Sequence, residues 1–221
     1  MKKAWKQTWK NLLFQHFELK NIEVLKKFLP KDCEFDSFHG KYYLGLVSMD
    51  MTNVKHKLTG NFVWFKKYNE LNVRTYIVHN NKPGVLFLSL DVNSFISFLG
   101  ARALYGLPYR MSKFDIIKGK VSSFRNSKLP FEVKYTVNSK LKVYEEGSFA
   151  YWSTERYFFA NKYLGFSFKG EINHKPWQLS TACVKNQNLD VLNSFEIVNK
   201  HPDILYCEEI SLQTSKLTRI K

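Results

Sequence analysis

The sequence predicts a mainly β (α+β) protein, folded as an antiparallel barrel or a strongly curled sheet with a few short helices. Apolar and polar residues alternate with a period of two in several segments, most clearly over residues 131–137. Clusters of turn residues separate such segments, as at residues 79–84. Helical patterns are few and short, so strands dominate the prediction.

The first half of the chain contains a short predicted helix and three predicted strands. Asn21 caps the helix over residues 22–29, and Pro30 ends it. The strands are predicted over residues 42–47, 71–78 and 85–90.

A longer helix follows these strands. Asn93 or Ser94 caps it, and its pattern runs to about Tyr105. Its apolar face comprises Phe95, Phe98, Leu99 and Ala103. If Arg102 of this helix points inward, its charge needs a carboxylate partner. The candidate partners are Glu70, Asp91 and Glu155. For Arg102, a structural ion pair and the binding of a ligand are equally favoured.

The second half of the chain is predicted to be mostly strand. After residues 131–137, a turn at Asn138-Ser139 leads into a strand with Leu141 and Val143. A single helical turn over residues 148–152 follows. The remaining predicted elements are a hairpin of 156–160 with 164–172 around Asn161-Lys162, and a last strand from Ile204 onward.

Composition indicates one globular domain over residues 1–221. Hydrophobic residues make up 44% and aromatic residues 16% of the chain, which argues against disorder. No apolar run reaches the roughly 18 residues that span a bilayer. Lysines interrupt the N-terminal segment, so no signal peptide is predicted and we expect a cytoplasmic protein. The three cysteines, Cys33, Cys183 and Cys207, lack metal-ligand spacing, and we expect no disulfide, metal site or cofactor.

The net charge of +15 suggests an anionic partner. The lysines, however, are spread from Lys2 to Lys221 without a dense cluster, which is typical of a solvated surface. We therefore expect neither a nucleic-acid nor a membrane partner. A basic protein that docks on nucleic acid or on another anionic surface remains an alternative, and the oligomeric state stays open, a homodimer included.

A polar strand face is the first candidate site. Glu70, Asn72, Arg74 and Tyr76 project from one side of their predicted strand, because side chains alternate with period two. Such a face is too polar for an ordinary core. It either faces water or lines a polar cavity.

The arginines provide a second clue, because this chain strongly favours lysine. Arg74, Arg102, Arg110 and Arg156 all lie in organised segments, and arginine binds carboxylates or phosphates with two parallel hydrogen bonds. Some of them are equally suited to internal salt bridges. Asp91, which ends the predicted strand after Gly84, is more typical of a cap or of a salt bridge to an arginine than of a site.

His174, followed by Lys175-Pro176-Trp177, is a third candidate. A histidine beside a Pro-Trp pair can line a pocket mouth and act as an acid or base near neutral pH. A single histidine is nevertheless more often a satisfied polar residue. No second histidine or carboxylate stands at metal-ligand spacing.

Six ordered motifs together resemble the bacterial YqjF-like family, which is grouped with acetoacetate-decarboxylase-like proteins. They are Leu25 to Pro30, Glu70 to Tyr76, Pro83 to Asp91, Ala101 to Tyr109, Thr154 to Tyr157 and His174 to Trp177. The resemblance covers almost the whole chain. It implies a cone-shaped antiparallel barrel with an internal cavity.

The decarboxylase pattern carries over only in part. Glu70, two positions after Tyr68, resembles the cavity glutamate of that family. Tyr109 and Arg110 stand where the family has its Schiff-base lysine and a second lysine, and the cavity arginine falls near Asn11. A phenol or a guanidinium cannot form the imine that an amine forms. The resemblance thus argues against Schiff-base decarboxylase activity.

Three functional hypotheses follow. The first is a pocket that binds a small anionic, carboxylate-bearing molecule through Glu70, Arg74, Arg102, Tyr105 and Tyr109, with Arg110, Arg156 and Trp177 as further ligand-binding candidates. The second is a lyase or hydrolase without an imine, in which Glu70 or His174 is the acid-base group and Tyr109 donates a hydrogen bond. The third is the basic docking protein already described.

Overall fold

The computed structural model describes residues 3–60, 62–99, 106–117, 119–125, 129–138 and 140–220. In these ranges the chain forms strands with the following bounds: β1 Lys3–Leu19, β2 Glu34–Phe35, β3 Tyr43–His56, β4 Val63–His79, β5 Lys82–Val92, β6 Tyr109–Met111, β7 Lys113–Ile117, β8 Lys120–Arg125, β9 Leu129–Val137, β10 Phe158–Tyr163, β11 Phe166–His174, β12 Ser180–Leu189, β13 Ile197–Lys200, β14 Leu205–Ser215 and β15 Thr218–Arg219. Helix α1 covers residues 95–99 up to a gap, and α2 is Phe149–Thr154. Short 3-10 helices cover Glu23–Phe28, Lys57–Thr59 and Asp190–Leu192.

The sheet closes on itself. Strands follow the order β1-β3-β4-β5-β10-β11-β14, and β14 pairs back onto β1, for example Trp9 with Ile210. Most pairings are antiparallel, whereas β5 runs parallel to β10 and to β6. The prediction of a mainly β, curled and closed sheet with a few short helices is confirmed.

The two faces of the ring carry two separate apolar cores. Along β4, Tyr68 and Tyr76 belong to the inner core, while Leu71, Val73 and Ile77 belong to the outer one. Strands β12, β9, β8 and β7 continue from β14 and supply Val121, Phe131 and Val133 to the outer core. The alternation of side chains along each strand therefore places Glu70 inside the ring.

Several predicted elements are confirmed with small shifts. Asn21 Oδ1 accepts a hydrogen bond from the Glu23 amide at the start of the first helix. Ser148 Oγ accepts one from the Tyr151 amide and caps α2. The hairpin of β10 and β11 turns at Leu164-Gly165, where both residues have positive φ, rather than at Asn161-Lys162.

The prediction of a strand at Leu141 and Val143 is wrong. Leu141 and Val143 do not continue from β9 as a strand: both are exposed, and β9 pairs with β8 and β12 instead. In α1, Phe95 and Leu99 are exposed rather than packed against the core. Ser94 does begin this helix, since its Oγ accepts from the Ser97 amide, while the predicted end of the helix lies outside the described residues.

Candidate functional site

A pocket of about 500 Å³ lies inside the ring. This volume falls within the roughly 300–1,000 Å³ of ordinary small-molecule sites. Its wall is largely aromatic, with contributions from Trp5, Trp9, Trp64, Phe87 and Phe159. Trp64 and Ile96 line the pocket and are also exposed, so the pocket opens to the surface beside them.

Glu70 and Tyr109 form a hydrogen-bonded pair in this pocket. The Tyr109 hydroxyl donates to Glu70 Oε2 at 2.9 Å, and both residues are buried. Tyr109 reaches Glu70 because β6 pairs with β5 in parallel, which sets Tyr109 beside Leu90. Glu70 lies on β4, on the other side of β5, opposite Val92. The phenol therefore spans the width of one intervening strand.

Burial raises the pKa of the Glu70 carboxyl to about 7. The hydrogen bonds from Tyr109 and Asn72 act in the opposite direction, because they stabilise the ionised carboxylate, and the charge of Asp91 adds to the rise. Burial and the nearby Glu70 also raise the pKa of Tyr68, so its phenol stays neutral. Glu70 is thus able to hold or release a proton near neutral pH.

The predicted polar face continues from Glu70 away from the pocket. Asn72, Arg74 and Tyr76 are all buried on the inner side, which excludes the alternative that this face meets water, but none of the three lines the pocket. Arg74 Nη2 donates to the Ser153 carbonyl at 3.4 Å, and its Nε has no hydrogen-bond partner among the described residues. Arg74 does not line the pocket wall.

Arg156 lies next to Tyr76 in the same interior region and is held by a salt bridge. Its Nη1 lies 2.5 Å from Asp36 Oδ2, and its guanidinium stacks 4.9 Å from the centre of the Tyr76 ring. Burial lowers the pKa of Arg156, and Asp36 counteracts this. The Tyr76 hydroxyl bonds to His16 Nε2 at 2.8 Å. Burial and then Arg74 lower the pKa of His16 well below its usual value, so this histidine is neutral.

His174 and Trp177 lie together but apart from Glu70. The His174 ring stacks on Tyr157 at 4.6 Å and faces a small separate cleft that includes Lys6. Trp177 is buried, and its Nε1 donates to the Thr154 carbonyl at 2.8 Å. Neither side chain is part of the pocket wall.

The remaining predicted residues are placed as follows. Arg110 is exposed on β6, one position after Tyr109. Arg102 and Tyr105 lie outside the described residues. Asn11, where the family resemblance put a cavity arginine, instead donates to Asp50 Oδ2 and accepts from the Tyr206 hydroxyl.

Asp91 forms the predicted salt bridge to an arginine, and the partner is Arg125. Arg125 Nε lies 3.1 Å from both carboxylate oxygens of Asp91, and Nη2 also bonds to Ser89 Oγ at 2.5 Å. Leu90 and Val92 belong to the inner core, so Ser89 and Asp91, which alternate with them, face the outer side of β5, away from the pocket. The pair therefore fixes β8 against the ring and is structural.

The aromatic wall from the N-terminal strand was missed by the sequence reasoning. Trp5, Gln7 and Trp9 all line the pocket from β1. Their spacing of two residues between Lys6, Thr8 and Lys10 is a strand alternation that could have revealed it.

The chain matches a family model, DUF2071, described as an uncharacterized conserved protein, over residues 6–211. It is also similar to the uncharacterized protein YqjF of Bacillus subtilis, with 31% identity over 183 residues that cover 80% of this chain and 75% of that one. The resemblance predicted from the six motifs is confirmed.

Solved structures share the fold. Acetoacetate decarboxylase from Legionella pneumophila superposes with a TM-score of 0.68 at 11% identity, over 100% of this chain and 88% of that chain. The enduracididine biosynthesis enzyme MppR, complexed with pyruvate, superposes with a TM-score of 0.72 at 9% identity, over 100% and 91%. At these identities the similarity establishes the acetoacetate-decarboxylase-like fold alone.

Proposed function

This chain belongs to the DUF2071 family, and we propose that it binds a small organic acid in the pocket inside the ring. The apolar body of the ligand lies against the aromatic wall. Its carboxylate or carbonyl end meets Glu70 and Tyr109. The ligand is held without a covalent bond to the protein.

The Glu70–Tyr109 pair carries this proposal. It is a buried, hydrogen-bonded polar pair in a pocket whose wall is otherwise largely apolar. Small-molecule sites typically combine apolar walls with a few placed polar groups. Burying a carboxyl costs stability, and packing alone does not require one here. The pair therefore supports a role in orienting a ligand.

The chemistry of the pair favours an acid as the ligand. Since the pKa of Glu70 is about 7, its protonated form is populated at neutral pH and can donate a hydrogen bond to a ligand oxygen. Tyr109 can donate to the same oxygen or keep its bond to Glu70. MppR, whose fold this chain shares, was solved with pyruvate bound, which supports a keto acid as the ligand class.

The absence of an imine is part of the proposal. No lysine is found among the described residues that line the pocket. Tyr109 and Arg110 stand at the motif positions where the decarboxylase pattern has lysines, and neither group can form an imine. Borohydride treatment in the presence of a keto acid should leave the mass of the protein unchanged. An adduct on any lysine would overturn the non-covalent part.

Calorimetric titration with phenylpyruvate tests the binding proposal, because its ring suits the aromatic wall and its keto acid end suits the pair. At about pH 6, where Glu70 is mostly protonated, we expect saturable binding. Tyr109→Phe and Glu70→Leu should each weaken it about tenfold, as expected for the loss of one charge-assisted or buried hydrogen bond. Tyr144→Phe, outside the pocket wall, is the matched control and should bind like the unaltered protein. Absence of binding to the unaltered protein, or equal binding by all variants, would reject the proposal.

Proton transfer is a second candidate function, favoured by the pKa of Glu70 and its contact with Tyr109. Ionised Glu70 would remove a proton next to the carbonyl of a keto acid, and Tyr109 would stabilise the enolate oxygen. Exchange of that proton for deuterium in heavy water, followed by NMR on 4-methyl-2-oxopentanoate, measures this directly. Exchange no faster with the protein than with Glu70→Gln would leave binding as the sole function.

A further inference from the structure

Large apolar side chains face solvent on the two segments that flank the mouth of the pocket, the tip of the β3–β4 hairpin with Trp64 and the helix α1 with Ile96. We call them the apolar rim: Leu58, Phe62, Trp64, Phe95, Ile96 and Leu99. Their exposed fractions range from 47% for Trp64 to 81% for Leu58. Single exposed apolar residues are common, but a group of this size at one opening is typical of a binding surface.

The rim is continuous with the pocket. Trp64 and Ile96 belong both to the rim and to the pocket wall. The Phe62 and Trp64 rings lie 5.7 Å apart, and Trp64 lies 6.3 Å from Trp5 inside the pocket. Phe95 stacks on Phe98 at 6.2 Å on α1. An apolar path thus leads from the surface into the site.

The segments that carry the rim are basic. Residues 51–69, which form the tip of the β3–β4 hairpin, contain Lys55, Lys57, Lys66 and Lys67 and no Asp or Glu. Residues 92–114, which include α1, also contain no Asp or Glu. Lys67 is paired with Asp50, so Lys57 and Lys66 are the exposed lysines of this tip that have no ion pair among the described residues, and they flank Leu58 and Trp64 along the chain.

We propose that this rim docks on an anionic lipid bilayer, with its apolar side chains in the interface and its lysines on the headgroups. A second copy of this chain fits less well, since two sets of lysines would face each other. Nucleic acid offers nothing for the aliphatic Leu58, Ile96 and Leu99 to bind. This departs from the sequence-based expectation of no membrane partner, which considered only spanning segments and the spread of charge.

The docking stands independently of what the pocket holds. One consequence of the docking does rest on the proposed function: the bound acid would be amphipathic and would pass between bilayer and pocket beside Trp64 and Ile96 without crossing water. Vesicle binding without phenylpyruvate binding would reject the pocket proposal alone. Phenylpyruvate binding without vesicle binding would reject the docking alone.

Co-sedimentation with vesicles tests the docking directly. We expect binding to phosphatidylcholine vesicles that contain about 30% phosphatidylserine, weak binding to pure phosphatidylcholine, and loss of binding when salt is raised well above about 0.1 M. The double variant Lys57→Glu/Lys66→Glu should lose more than roughly twentyfold in affinity, at about fivefold for each lysine removed. Phe62→Ser/Ile96→Ser should lose roughly tenfold or more, because the apolar contacts are gone.

Leu141→Ser/Lys142→Glu is the matched control. It makes one change of each chemical kind, apolar to serine and lysine to glutamate, in the segment Lys140-Leu141-Lys142-Val143, which is exposed and does not line the pocket. This control should bind vesicles like the unaltered protein. The melting temperature of every variant should equal that of the unaltered protein. The proposal would be overturned if the protein did not bind anionic vesicles, or if the rim variants bound them as well as the unaltered protein. It would also be overturned if the protein formed a dimer that the rim variants abolish, or if it bound an oligonucleotide more tightly than vesicles.

Discussion

Tyr109 and Glu70 come from opposite sides of β5, and the hydroxyl of one bonds to the carboxylate of the other at 2.9 Å. The contact joins the β6 segment to β4 inside the ring. It also links the protonation of a buried carboxyl to the orientation of a phenol. The protonation of Glu70 and the position of β6 are therefore coupled at this bond.

The first prediction concerns that bond. Tyr109→Phe removes a donor that stabilises ionised Glu70, so the pKa of Glu70 should rise above about 7. Carboxyl carbon NMR of the labelled protein, titrated with acid, reports this value. In Tyr144→Phe the pKa should not move. An unchanged pKa in Tyr109→Phe would mean that the bond is not formed in solution.

The second prediction concerns the pH dependence of stability. The pKa of Glu70 is higher in the folded protein, about 7, than its ordinary value of 4.5. The folded state therefore binds the extra proton between these values, and the free energy of unfolding falls as pH rises through that window.

Glu70→Gln removes this dependence. The stability difference, variant minus unaltered protein, should increase from about pH 5 to about pH 8, by at most about 3 kcal/mol of unfolding free energy. Urea unfolding at both pH values measures the difference. The same stability difference at both values would contradict the raised pKa.

The third prediction concerns the outer face of the ring. Asp91→Asn leaves the guanidinium of Arg125 buried without its counter-charge, and should cost about 3 kcal/mol of unfolding free energy. Urea unfolding measures this cost. Glu196→Gln, which removes an exposed ion pair with Lys20, serves as the control and should change little. The double change Asp91→Leu/Arg125→Met should recover much of the loss, because no uncompensated charge remains.

The fourth prediction concerns Gly84 on β5. A Cβ atom at this position would lie 2.4 Å from the Phe158 ring on β10. Gly84→Ala should therefore cost about 1–3 kcal/mol through overpacking, seen as a lower melting temperature. Combining it with Phe158→Leu should cost less than the sum of the two single changes. If the two costs simply add, then β5 and β10 move apart to accommodate the new methyl group, and the Phe158 ring is not what opposes it.

The sequence was sufficient to predict the inner face of β4. Glu70, Asn72, Arg74 and Tyr76 share one side because strand geometry fixes a period of two, and no long-range information is needed. The same rule does not predict whether that side faces solvent or the protein interior, because this depends on the closure of the ring. Burial of all four followed only from the structure.

Long-range partners account for the other misses. Arg125 lies 34 positions after Asp91, and its segment shows no pattern that would pair them. Leu141 and Val143 alternate like a strand, but β9 takes its hydrogen bonds from β8 and β12. The apolar face of α1 resembles a core face, but its Phe95 and Leu99 are exposed.

The seam between β1 and β14 has a consequence for how the protein is made. These strands are about 200 residues apart along the chain, as in Trp5 with Thr214, so the pairing forms late in synthesis and slowly. Until β14 leaves the ribosome, the edge of β1 that carries Trp5 and Trp9 has no strand paired to it. The incomplete sheet then exposes an unpaired strand edge and apolar side chains, which favours aggregation. Nascent chains stalled before residue 205 should therefore recruit chaperones that finished chains no longer need.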